Sequence, residues 1–158
     1  MELALYEDRP KYDTWFKLLL GFAPALTIIL GFLLYSRVLP SETESEARLG
    51  AIVLFATTVL ILLIYWAVLP RKFLLLEDRV KIKFGVFSFN IPFHTIKEVR
   101  IAKGSKLFGF NSVTSFRSMI EIVRKRWTSV SISPDNRDLF LAELNKAMAD
   151  WKRKQGIT

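Results

Sequence analysis

The sequence predicts a membrane α-helical hairpin joined to an all-β domain of about seven antiparallel strands, closed by a C-terminal α-helix. Three observations carry this: two apolar runs of bilayer-spanning length, a period-two alternation after residue 70, and an apolar stripe at helical spacing near the end. Of the 158 residues 51% are hydrophobic, and the positive mean hydropathy of +0.28 argues for a membrane-embedded portion. Residues 1–70 hold 5 Lys/Arg against 7 Asp/Glu and residues 71–158 hold 18 against 8, so the two parts carry −2 and +10. A pI near 9.9 draws polyanions, and both nucleic acid and the anionic cytoplasmic face of a membrane qualify. Without cysteine there are no disulfides, thiolate metal sites or cysteine nucleophiles, which fits a reducing compartment.

The first run, "WFKLLLGFAPALTIILGFLLY" (residues 15–35), has 21 residues and a single charge, Lys17, placed where it can snorkel to headgroups beside Trp15. The second, "LGAIVLFATTVLILLIYWAVL" (residues 49–69), has no charge at all, with Tyr65 and Trp66 near its end. A cleaved signal peptide is not expected, because the residues before the first run are net acidic and no small-residue cleavage pattern follows. The connector, residues 36–48, holds Pro40 and three glutamates and is too short for a domain, so the helices form an antiparallel hairpin. Arg71 and Lys72 follow the second run at once. The Lys/Arg bias therefore places both termini, and the 71–158 domain, in the cytoplasm of a multi-pass cell-membrane protein. Gly21, Ala25 and Gly31 would let the helices approach closely, and Pro24 can kink the first. No ionisable residue lies deep in either run, which argues against transport or proton relay.

Residues 71–158 are enough for one small domain. "KFLLLED" is a short apolar run ending in a turn signal, and "VKIKFG" alternates Val80, Ile82 and Phe84 against Lys81 and Lys83. Gly85 supplies the next turn. "FSFNI" resumes with Phe87, Phe89 and Ile91 inward until Pro92 removes a ladder donor. A strand at residues 96–102 runs toward Gly104, and residues 106–116 are the least regular stretch. "SMIEIVR" and "WTSVSIS" read as a hairpin with Lys125 and Arg126 at its tip and Trp127 starting the last strand. In the final helix, capped by Ser133 or Asp135, Phe140, Leu144, Ala147 and Trp151 share one stripe. Lys152, Arg153 and Lys154 at its carboxyl end complement the macrodipole.

"VKIKFGVFSFNIPFHTIKEV", followed later by "VSISPDNRDLFLAEL", resembles the bacterial pleckstrin-homology-like (PH-like) domains of small membrane proteins, in which two hydrophobic helices precede the domain. The resemblance covers roughly residues 71–151. It implies a strongly bent seven-stranded barrel or sandwich plugged at one end by the helix, a binding or scaffolding role, and no enzymatic activity. Phosphoinositide-binding members carry a basic first-hairpin loop. Here that turn is "LEDRVKIK", with acidic Glu77 and Asp78 beside Arg79, which counts against specific inositide binding.

Chemistry is sparse. His94 is the only histidine, at a predicted strand end, and is read as a surface residue; "AKGSKLFG" lacks P-loop spacing, and no hydrolase or dinucleotide motif occurs. No cofactor, metal or catalytic residue is expected. Two candidate surfaces remain. Arg71, Lys72, Lys103, Lys106, Arg124, Lys125 and Arg126 form a basic set for anionic lipid, or else a solvated surface. Leu107, Phe108, Phe110 and Phe116 form a patch for a partner, or else fill the core. The leading expectation is a scaffold or accessory subunit that binds a protein partner or a second copy of itself. Anionic lipid binding comes second and nucleic-acid binding third, the last disfavoured by the absence of a base-reading element.

Overall fold

In a computed structural model, which describes residues 4–40, 43–101, 110–112, 114–115 and 117–156, the two apolar runs form helices α1 (Thr14–Tyr35) and α2 (Glu44–Val68). Both are long and apolar enough to cross a membrane. Leu18, Phe22, Phe32, Ile52, Leu60 and Leu63 are all more than half exposed, unlike the core helix of a soluble protein. α2 starts five residues before the predicted run because residues 43–46 form a capping box. The Thr43 N–H donates to Glu46 Oε2 at 3.1 Å and the Glu46 N–H donates to Thr43 Oγ1 at 3.3 Å. Arg37, in the left-handed region at φ 59°, ends the exit from α1, and its guanidinium meets Glu44 at 2.5 Å.

The helices run antiparallel, with Thr27 and Thr58 hydroxyls 2.8 Å apart. Of the three small residues expected at their contact, Gly31 is buried, and a Cβ there would meet the Phe55 ring at 3.1 Å. Gly21 and Ala25 are exposed instead. The contact stripe passes through Thr27, Gly31 and Leu34, at helical spacings of four and three, and those two residues lie off it. α1 continues through Pro24, where the Thr27 hydroxyl donates to the Ala23 and Pro24 carbonyls.

The remaining unit, Met1–Asp13 with Val68–Thr158, holds two four-stranded sheets. The first runs β1 (Tyr6–Asp8), β2 (Lys72–Leu75), β3 (Arg79–Lys83), β4 (Ser88–Pro92), every pair antiparallel. The second comprises β5 (Ile96–Ile101), β6 (Phe110–Ser112), β7 (Ile120–Arg124) and β8 (Val130–Ile132) in the order β5-β7-β8-β6. Among the described residues, β2–β8 supply the seven strands expected after residue 70. They are antiparallel except that β6 pairs with β8 in parallel. The two tight turns of the first sheet are two-residue loops, Glu77-Asp78 closed by the Leu76 N–H to Arg79 carbonyl bond and Gly85-Val86 closed by Phe84 N–H to Phe87 carbonyl.

The core lies between the inward residues of both sheets. Phe73, Leu75, Val80, Ile82 and Ile91 of the first and Ile120, Ile122, Val130 and Ile132 of the second are all fully buried. Helix α3 (Arg137–Lys154) closes it as predicted: Phe140, Leu144 and Ala147 are buried, and the Phe140 ring meets Phe73 and Tyr6 edge-on at 6.3 and 6.1 Å. This arrangement is a PH-like fold.

Three expectations differ in detail. Phe87 keeps the parity of Phe89 and Ile91 but is 49% exposed rather than enclosed, stacking on buried Phe84 at 4.6 Å at the turn end of the hairpin. α3 is not capped by Ser133 or Asp135, since the Ser133 hydroxyl already accepts the Thr114 and Ser115 N–H groups and the N-cap is Asn136. The Asn136 N–H donates instead to Asp8 Oδ2 at 3.1 Å, a carboxylate 128 residues earlier in the chain. The segment before α1, grouped by sequence with the hairpin, pairs through β1 with β2. It then crosses to the second sheet: Lys11 N–H donates to Ser133 carbonyl, Asp13 N–H to Thr114 carbonyl, and the Ser115 hydroxyl to Asp13 Oδ1.

Candidate functional site

The β7–β8 connection forms the most distinctive surface of the domain. The last strand does not start at Trp127. Pairing stops at Ile122↔Val130, the Lys125 N–H turns away to donate to the Thr95 carbonyl at 2.8 Å, and residues 125–129 are left as a loop. Pro92 ends β4 and is followed by a single 3-10 turn, Phe93–Thr95, which buries Phe93 and leaves His94 exposed. The two segments together line an open pocket of about 400 Å3 with His94, Thr95, Lys125, Arg126 and Trp127. Trp127, at 66% exposure, is among the most exposed large apolar side chains of the domain.

Arg124 has a different role from its two neighbours. Its guanidinium carbon lies 5.3 Å from the Trp127 ring centre and 5.9 Å from that of Phe89, so it bridges the β7–β8 loop to β4 of the other sheet. Its Nε is buried and has no hydrogen-bond partner among the described residues. Burial lowers its pKa from the ordinary arginine value, yet a guanidinium remains charged at neutral pH. Arg124 orients Trp127, while Lys125 and Arg126 are exposed beside it.

The basic set of the sequence reading is thus divided. Arg71 and Lys72 stand at the start of β2 in the first sheet, where Lys72 meets Glu7 at 2.6 Å; Arg124, Lys125 and Arg126 lie at the end of β7 in the second. Lys103 and Lys106 fall outside the described residues, as do Leu107, Phe108 and Phe116 of the apolar set. Phe110 begins β6, paired with Val130. Lys81 and Lys83 share the outer face of the first sheet with Lys72, through the pairings Lys72↔Lys83 and Leu74↔Lys81. That grouping was visible in the alternation of "VKIKFG", but only the strand register adds Lys72 to it. At the acidic first turn, the hydrogen bond from Arg79 holds the Asp78 carboxyl below its ordinary pKa, so the tip keeps its negative charge.

Among the described residues, no group of three or more His, Asp or Glu side chains could hold a metal ion. The charged pair Arg100–Glu121, 2.9 Å apart, joins directly opposed residues of β5 and β7 and is accounted for by pairing.

Two four-stranded sheets around one core, closed by a C-terminal helix, define a fold of the PH-like class. Residues 72–148 match the family model described as bacterial PH domain. Two helices long and apolar enough to cross a membrane precede the matched residues. No curated protein and no solved structure matches it significantly.

Proposed function

We propose that this chain is a non-enzymatic integral membrane protein that crosses the membrane twice, with both termini in the cytoplasm. Its PH-like domain binds another protein there, as a scaffold or accessory subunit of a membrane complex. The observation that carries the reading is Trp127, held out from the β7–β8 loop over a pocket rimmed by Lys125, Arg126 and His94. An exposed tryptophan oriented by an arginine and flanked by cations fits an interface anchor, since Trp and Arg dominate binding hot spots. The basic rim favours an acidic segment of the partner. Arg71 and Lys72, within four residues of the end of α2, support the cytoplasmic placement.

The test is purification of the full chain in mild detergent followed by mass spectrometry, wild type beside Trp127→Ala. A reproducible partner retained by the wild type and lost from the variant is expected. Recovery of the wild type alone, preparation after preparation, would overturn the reading.

A further inference from the structure

The turn between β3 and β4 presents a second surface, unrelated to the Trp127 pocket. Val86, in the two-residue turn, is 68% exposed and Phe87, which closes it, is 49% exposed; the turn itself does not require an apolar residue at position 86. Immediately behind them the outer face of the first sheet carries Lys83, Lys81 and Lys72, brought together by the β2–β3 register. Arg71 joins this end of the sheet through its N–H bond to the Lys83 carbonyl at 2.7 Å. Glu7 is paired with Lys72 at 2.6 Å. An apolar tip backed by a cluster with net positive charge matches an anionic bilayer surface, in which headgroups lie above a hydrocarbon boundary.

Covalent connection strengthens the match. Val68 is the last residue of α2, and only Leu69 and Pro70 separate it from Arg71. Three residues reach at most about 10 Å. The other link to the apolar helices leaves from the same place, because the Tyr12 hydroxyl donates to the Pro70 carbonyl at 2.7 Å and Thr14 begins α1. A chain anchored this way holds the hairpin at high effective concentration near the bilayer, so weak contacts suffice. We infer that the β3–β4 hairpin seats on an anionic lipid surface, with Lys72, Lys81 and Lys83 against the headgroups and Val86 and Phe87 entering the apolar boundary.

Because the chain has no cysteine, Val86→Cys can be labelled at one site with an environment-sensitive fluorophore. The full-length protein is placed in nanodiscs of phosphatidylcholine, alone or mixed with phosphatidylglycerol, that contain a shallow spin-labelled lipid quencher. Glu77→Cys, on the turn at the opposite end of the first sheet, is the reference. Strong quenching at position 86 only in anionic discs, with little at 77, is expected. Each lysine removed should lower the ratio of docked to undocked hairpin roughly fivefold, so adding Lys81→Gln and Lys83→Gln should abolish the quenching. Equal quenching at 86 and 77, equal quenching in neutral and anionic discs, or insensitivity to the lysine changes would overturn the inference. Blue-shifted emission at 86 without lipid quenching would place the tip in a protein interface and overturn it as well. Loss of the partner in Trp127→Ala is read separately, so either proposal can fail alone.

Discussion

The helical hairpin and the β domain use the same apolar residue types in opposite directions. In the hairpin, Leu60, Leu63, Phe22 and Phe32 point away from the protein and only a thin seam through Gly31, Ala47, Ala51 and Thr58 is buried. In the domain, Phe73, Ile82, Ile122 and Phe140 are fully enclosed, and the outer face of the first sheet carries Lys72, Lys81 and Lys83. Hydrophobicity alone therefore does not say where a residue goes; the solvent it was matched to does. In the proposed reading that solvent is lipid for one region and water for the other.

The largest expected effect tests the enclosed side. Phe140→Ala removes a ring at 0% exposure that contacts both Phe73 and Tyr6, and should cost about 3–5 kcal/mol in denaturant unfolding of the domain. A loss below 1 kcal/mol would mean that α3 does not close the core. Next comes the outward side: Leu60, 57% exposed near the middle of α2, changed to Lys should reduce insertion by about 2.5–3.5 kcal/mol in a translocation assay. For a helix surface in water the same change would be worth at most about 0.5 kcal/mol, and that outcome would break the comparison.

Asp8→Ala probes how the segment before α1 belongs to the domain. It leaves the Arg9 and Asn136 N–H groups without their acceptor, and thermal unfolding should show a loss of about 1–3 kcal/mol. An unchanged midpoint would assign β1 only a passive role. The smallest effect is expected at the helix seam, where Thr58→Val removes the bond to Thr27. About 0.6 kcal/mol of hairpin stability should be lost, measurable by steric trapping.

Legibility followed locality. "VKIKFG" and "FSFNI" displayed their strands because a tight hairpin needs only alternation and a turn, and the α3 stripe was plain from spacing alone. The second sheet was harder. Its β6–β8 pairing is parallel and made between strands that are not neighbours in sequence. β1 was missed because three residues carry no period, and Tyr6 became informative only once Phe140 was placed beside it. The same distance hid the partner of the α3 N-cap residue Asn136, since no local pattern reveals an acceptor at Asp8. At the candidate site the basic residues could be picked out, but not their division: Arg124 looks like Lys125 and Arg126 in sequence and differs from them through its burial and its contacts with Trp127 and with Phe89, in the other sheet.

The most direct test of the central claim is site-specific photo-cross-linking in intact membranes, with a benzophenone amino acid replacing Trp127. One discrete protein adduct is expected, weakened when Lys125 and Arg126 are both changed to Ala. The absence of any protein adduct at 127, while the same probe at Glu77 behaves identically, would contradict it.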